Sequence, residues 1–292
     1  MRKYETDRLD RVALYFLLGA ALMNLIYTNS RIPADLYTHF PALIHPFREY
    51  FPRSRNINKL TRGIENSAST YNLPKTGQLL CFVETSEKYY KDRVPSVAAT
   101  WLPRCDNGRF FSKTPLPDPK MPFTTVYRNL EDSYYDLFRK TLLGFYYSYT
   151  YISKDFDWYL KADDDNYFAM DHLKEKAATT LAVPEHLYHD EQLCPYDWAE
   201  DRGMARCLAS MGILPADTRD PNGLHRFVPF RPSEMREVPA GYHYYPLRNG
   251  SLISEKFVSL HRISPRKMIF LDSILYPQSG KRLFTPEFFD LL

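Results

Sequence analysis

At 292 residues, with 44% hydrophobic and 15% aromatic content, the chain can bury one substantial core, which excludes a disordered or low-complexity protein. Its 38 basic and 35 acidic residues are spread along the chain and leave a formal charge of +3, without the long basic run of a nucleic-acid tail, so nucleic acid is not an expected partner. Tyr (23), Phe (19) and Pro (22) are plentiful against 11 Gly, which suits a compact α/β domain with rigid loops.

The chain opens with Arg2, Lys3, Arg8 and Arg11, followed by an apolar stretch from Val12 to Tyr27 broken only by Asn24. As a helix this stretch rises about 24 Å. That is short of the roughly 30 Å of an average hydrocarbon core and near the roughly 27 Å of the thin early secretory membranes. The expectation is a signal anchor: residues 1–11 a cytoplasmic tail, 12–27 a transmembrane helix, the rest luminal. A cleaved signal peptide lacks its small-x-small site here, and a buried core helix is disfavoured by the basic cluster before it. Glu5, Asp7 and Asp10 dilute the charge asymmetry, so orientation rests on N-terminal position. Residues 28–77 are polar, basic and proline-containing without periodicity, and read as a luminal stalk to a domain over 78–292.

Within that domain, QLLCFVE at Gln78 to Glu84 predicts a buried strand by apolar density and length. A helix is expected over Arg93 to Trp101, then short strands at Arg109 to Phe111 and Thr124 to Tyr127. Tyr134, Leu137, Phe138, Thr141, Leu142 and Phe145 recur at helical spacing and mark a long amphipathic helix. DWYLKA at Asp157 to Ala162 predicts another strand, and the alternation of strands with helices predicts an α/β fold. The four cysteines form two sequence-local pairs, Cys81 with Cys105 and Cys194 with Cys207, an even number that suits disulfides in an oxidising compartment. Structural zinc is the alternative, without CxxC or HxxxH spacing to support it. Asn249-Gly-Ser251 is an N-glycosylation sequon, or an unmodified turn.

The strand ending at Ala162 delivers Asp163, Asp164 and Asp165 to the carboxyl edge of the predicted sheet, where open α/β sheets bind ligands. Adjacent carboxylates repel and raise one another's pKa, a cost that a divalent cation relieves. Hard oxygen ligands suit Mg²⁺ or Mn²⁺ shared with substrate phosphates. On this reading Asp163 and Asp165 serve a metal bridging a nucleotide diphosphate. An acidic turn or helix N-terminus is the other reading of the same residues.

LLCFVET at Leu79 to Thr85, VAATWLPRC at Val97 to Cys105, LFRKT at Leu137 to Thr141, DWYLKADDDNY at Asp157 to Tyr167, AEDRGMARCL at Ala199 to Leu208 and FVSLHRI at Phe257 to Ile263 occur in one order. In these stretches the sequence resembles the core 1 β1,3-galactosyltransferases, within the β1,3-glycosyltransferase group that includes Fringe. The resemblance implies a GT-A fold, Rossmann-like with a sheet flanked by helices. It also implies a manganese or other divalent ion, UDP-galactose as donor, and GalNAc α-linked to Ser or Thr as acceptor, with inversion. Asp165 and His261 match metal ligands, and Asp163 matches the residue that orients the nucleotide beside the metal. Asp201 matches the general base; as a bland alternative, Glu200 and Asp201 cap a helix. Thr85, Arg104, Lys140 and Asp164 lie in donor-side motifs, where Arg104 and Lys140 either meet phosphate or are salt-bridged. The aromatic run Tyr242 to Tyr245 reads as a sugar-stacking wall or as core packing. The implied partners are GalNAc-bearing glycoproteins, a Golgi membrane through the one N-terminal helix, and a second copy of the chain in a homodimer.

The sequence also departs from that pattern. Family members carry a further strand and a glycine-rich turn between the acidic triplet and the second cysteine pair, whereas no glycine occurs here from Asp163 to Arg202. Several tens of residues are missing, around 174 to 184, and the adjacent cysteine pair before the metal-ligand histidine is gone too. A splice form, a shortened gene model and a diverged member that has lost transfer all fit. The alternative function is therefore an inactive or chaperone-like relative. Against it, the family's chaperone-like member lacks the acidic motif that this chain keeps.

Overall fold

Strand β1 (Thr76–Glu84) is buried from Leu79 to Glu84, and alternation sends its side chains to two different cores. Leu79, Cys81 and Val83 pack with Val94, Val97 and Trp101 on one face, while Leu80 and Phe82 pack with Phe138, Leu142 and Met204 on the other. A strand covered on both faces reads as a continuous apolar run, and this is why QLLCFVE was recognisable. These observations come from a computed structural model that describes residues 56–176, 193–214, 216–237 and 252–277. The expected span 12–27, the run Tyr242 to Tyr245 and the Asn249 sequon lie outside the described residues. Among the described residues no helix is long and apolar enough to cross a membrane.

β1 is joined by β2 (Asn107–Phe111), β3 (Phe123–Thr124) and β4 (Asp155–Asp163) in the order β3-β2-β1-β4, with every neighbouring pair parallel. Helices α1 (Ile57–Leu60), α2 (Arg93–Ala99), α3 (Leu137–Tyr147), α4 (Met170–Lys176), α5 (Glu200–Ser210) and α6 (Pro265–Leu275) complete the described mixed α/β fold. A parallel sheet flanked by helices fits the expected GT-A class. Several boundaries shift by one to three residues from the sequence reading, two of them with consequences. The strand expected at Thr124 to Tyr127 sits one residue earlier and is only two residues long, and the helix expected from Tyr134 begins at Leu137 after a 3₁₀ turn. Tyr134 is 65% exposed, so it is not part of the apolar stripe whose spacing it happened to match.

Residues 56 to 72, assigned to the stalk, pack on the domain. Leu60 is buried, the Glu65 amide donates to Thr125 Oγ1 at 2.8 Å, and the Ser67 amide donates to the Phe123 carbonyl at 3.0 Å. The domain therefore begins before Gln78.

Both cysteine pairs form disulfides, which removes the zinc alternative. Cys81 to Cys105 ties the middle of β1 to the turn entering β2; Cys194 to Cys207 pins the approach segment to the body of α5. Loops of 24 and 13 residues are each worth about 3 kcal/mol on chain-entropy grounds. α5 also lies close against α3, because a Cβ on Gly203 would come within 2.6 Å of the Phe138 ring. The body of α5 is thus held close against α3, and its first turn carries Glu200 and Asp201.

Candidate active site

Three two-residue strands that no periodicity announces build the rest of the site. β5 (Tyr167–Phe168), β6 (Phe227–Val228) and β7 (Ser259–Leu260) form a second sheet in the order β5-β7-β6. β5 runs antiparallel to β7, with Tyr167 opposite Leu260. Asp165, two residues before β5, and His261, one residue after β7, are thereby brought to the same edge. The Ile263 amide donates to the Asp165 carbonyl at 2.9 Å and the His261 amide to the Val228 carbonyl at 3.1 Å, which fixes both backbones. Between these bonds Arg262 takes a left-handed φ of 59°, a conformation that costs a non-glycine residue of order 1 kcal/mol.

Asp163, Asp165 and His261 each offer a ligand atom, and these atoms lie within 4.8 Å of one another. Two ligands on opposite sides of an ion at about 2.1 Å each are at most about 4.2 Å apart. Closing a few tenths of an ångström is within the reach of side-chain torsions, so the group fits one divalent cation. The histidine tautomer fits as well. His261 Nδ1 lies 3.0 Å from the Pro229 carbonyl, which can only accept, so Nδ1 carries the hydrogen and Nε2 is the free ligand atom. Nε2 faces Asp165 Oδ1 at 3.4 Å. Two acceptors so placed need a proton or a cation between them. Without a cation, the hydrogen bond to Asp165 and its charge raise the His261 pKa. Burial pushes Asp165 upward, but His261 and Arg93 outweigh it and hold this carboxyl below the usual range.

The middle carboxylate has another task. Asp164 is buried, and Thr85 Oγ1 donates to its Oδ2 and Arg93 Nη1 to its Oδ1, both at 2.8 Å. Burial lifts its pKa to about 6 despite these two donors. Thr85 and Asp164 therefore engage each other, tying the end of β1 to the acidic turn. Arg93 also reaches Asp165 Oδ2 at 3.2 Å and stacks on the Tyr89 ring. Arg93 opens α2, and sequence reasoning did not single it out.

The other two donor-side cations are committed elsewhere. Arg104 makes a two-pronged pair with Asp272 on α6, at 2.7 and 2.9 Å, and lies over the Tyr276 ring. Lys140 is buried against Asp132 at 2.5 Å. Both are salt-bridged in this structure. Lys140 is buried, where an uncompensated cation is expensive, and its carboxylate partner removes that cost.

Asp201 stands exposed on the first turn of α5, its Oδ1 accepting from the Arg202 amide at 2.7 Å. Its neighbour Glu200 turns inward. Glu200 Oε1 accepts from Thr141 Oγ1 at 2.9 Å and lies 3.3 Å from Lys161 Nζ. Below them Glu84 ends β1 fully buried, its Oε1 accepting from Tyr127 Oη at 2.7 Å. Burial raises the Glu84 pKa to about 7, against the opposing pull of Lys161.

Residues 75–177 match the family model described as Fringe-like. That window coincides with β1 through α4 and contains Thr85, Arg93, Lys161 and the acidic triplet, while Asp201 and His261 lie beyond it. The chain is also 23% identical over 256 residues to the glycoprotein-N-acetylgalactosamine 3-beta-galactosyltransferase 1 of Xenopus laevis, covering 73% of this chain and 70% of the relative. The aligned span is longer than the part of this chain it covers, so it opens gaps on this chain's side.

Proposed function

We propose that this chain is an inverting transferase of the Fringe-like, core 1 β1,3-galactosyltransferase family, to which its matches point. It moves galactose from UDP-galactose to GalNAc linked to Ser or Thr, with a divalent cation, Mn²⁺ first, at Asp163, Asp165 and His261. The observation that carries this reading is the convergence of those three side chains, from two separate elements, at the carboxyl edge of a parallel sheet.

A cation held there would supply charge that offsets the diphosphate and would make UDP a better leaving group. The chain's own groups do the rest. Asp165 and His261 hold their ligand atoms through the β5/β7 pairing, and Arg93 keeps one Asp165 oxygen oriented. Inversion needs a base on the face opposite the leaving nucleotide. Asp201, carried on a helix clamped by Cys194 to Cys207, offers an exposed carboxylate to take the acceptor hydroxyl proton. The second reading, a relative that binds UDP and metal without efficient transfer, is favoured by one observation: among the described residues the main sheet ends at β4.

Calorimetry of UDP, with Mn²⁺ and then with EDTA, tests the reading. Binding with Mn²⁺ that EDTA abolishes is expected; equal binding with EDTA removes the metal role, and no binding removes the function.

The compartment belongs to the same reading. A short N-terminal anchor over residues 12–27 and two disulfides suit a single-pass protein of the Golgi membrane whose domain faces the lumen. Protease added to sealed microsomes should leave the domain intact and digest it once detergent is present. Digestion without detergent rejects this topology.

A further inference from the structure

Lys161 belongs to the strand that delivers the acidic triplet, yet none of the roles above uses it. Lys161 and Asp163 are two apart on β4 and so share a face, the face on which Phe82 and Glu84 of β1 are their register partners. Glu84 and Asp163 thus stand side by side in neighbouring parallel strands, two carboxylates at the edge of one sheet. α5 brings a third, Glu200, down onto the same point. The ammonium of Lys161 lies among all three: 2.7 Å from Asp163 Oδ1, 3.3 Å from Glu200 Oε1 and 3.4 Å from Glu84 Oε2. Tyr127 and Thr141 supply neutral donors around it, to Glu84 and Glu200.

We propose that Lys161 is a positioning residue that couples the two halves of the site, tying Asp163 of the metal group to Glu200 at the turn of α5 that carries Asp201. The inference rests on the transferase reading and deepens it. The lysine side chain is 13% exposed, so it acts on substrate only through the carboxylates it orients. Ligand binding at Asp163 changes the charge that Lys161 sees, and among its described carboxylate partners the other movable one is Glu200 on the first turn of α5, since Glu84 is fixed within β1. Tightening at the metal group therefore orders Glu200 and with it Asp201. Removing the ammonium leaves three carboxylates within a few ångströms, which relax by splaying apart, and the two halves become independent.

Hydrogen exchange at residues 200–206, with and without UDP and Mn²⁺, reads this coupling without relying on transfer. In the unmodified chain the ligands should slow exchange at that turn at least fivefold. In Lys161→Met and in Glu200→Gln, each checked for native circular dichroism, the ligand-induced gain should fall below twofold. Lys161→Arg, which keeps the charge, should recover part of it. The same gain in the folded variants as in the unmodified chain, or no gain at α5 when the unmodified chain binds UDP, overturns the proposal. Should Lys161→Met fail to fold, Glu200→Gln, which keeps Lys161, decides alone. A chain that binds no UDP in the preceding titration fails at the functional reading, and the inference goes with it, so the two failures are told apart.

Discussion

Asp165→Asn should weaken Mn²⁺-dependent UDP binding by two orders of magnitude or more while the domain melts within a few degrees of the unmodified chain. Asp165 is the pivot of the proposed metal group. One of its oxygens faces His261 Nε2 at 3.4 Å and the other accepts from Arg93 at 3.2 Å. The amide removes the anionic ligand, and it also does something worse for the metal. Its NH₂ group can donate to Nε2, whose partner nitrogen already carries the hydrogen given to Pro229. The histidine is then satisfied with no cation present, and the metal-free arrangement is stabilised. A hundredfold loss corresponds to about 2.8 kcal/mol, which is reasonable for a charged ligand that also gains a competing neutral partner. The fold loses little, because Arg93 keeps its shorter bond to Asp164 at 2.8 Å. Calorimetry at matched Mn²⁺ together with a thermal melt checks both halves. Unchanged UDP affinity would remove Asp165 from the metal site.

What the sequence disclosed, and what it hid, follows from the range of the interactions. β1 was legible because burial on both faces leaves an uninterrupted apolar run, and α3 because Phe138, Leu142 and their neighbours repeat at helical spacing against one core. The second sheet was not, since two-residue strands have no period to detect. His261 could therefore be reached only through resemblance; nothing local distinguishes it from a structural histidine. Arg104 and Lys140 show the converse. Their motif placed them on the donor side, but Asp272, 168 residues away from Arg104, is a partner that no local reading supplies. Arg93 escaped for the same reason, its carboxylates lying 71 and 72 residues on. Lys161 was within reach of sequence logic: two residues before Asp163 on a strand means the same face. Recognising it needed only the further step of asking what a lysine does beside buried acids.

Transfer of galactose to a GalNAc-peptide should be at least a hundredfold slower in this chain than in the same chain with a family-like segment inserted after Lys174, even though both bind UDP. On the proposed reading, metal and diphosphate depend on Asp163, Asp165 and His261, whose ligand atoms lie within 4.8 Å of one another beside the β5/β7 pairing. Chemistry asks for more, because donor sugar and acceptor hydroxyl must be held in attack geometry, and an error of about 1 Å costs on the order of a hundredfold. Among the described residues β4 is the edge of the main sheet. Trp158 and Leu160 on this edge are only partly buried, and the strand ends at Asp163, the first residue of the acidic triplet. A strand paired on one side alone is held by half the ladder of a central one, and its end is correspondingly less fixed. The gaps that the alignment with the Xenopus laevis relative opens in this chain run in the same direction. A family-like strand added there is expected to steady β4 and supply a floor beneath the donor sugar. It should therefore raise kcat by that factor while UDP affinity changes by less than about fivefold, the split expected when only transition-state placement is gained. A radiolabelled galactose assay beside UDP calorimetry on the two chains measures both numbers. Full activity in the 292-residue chain would mean that the four described parallel strands already hold the donor in place.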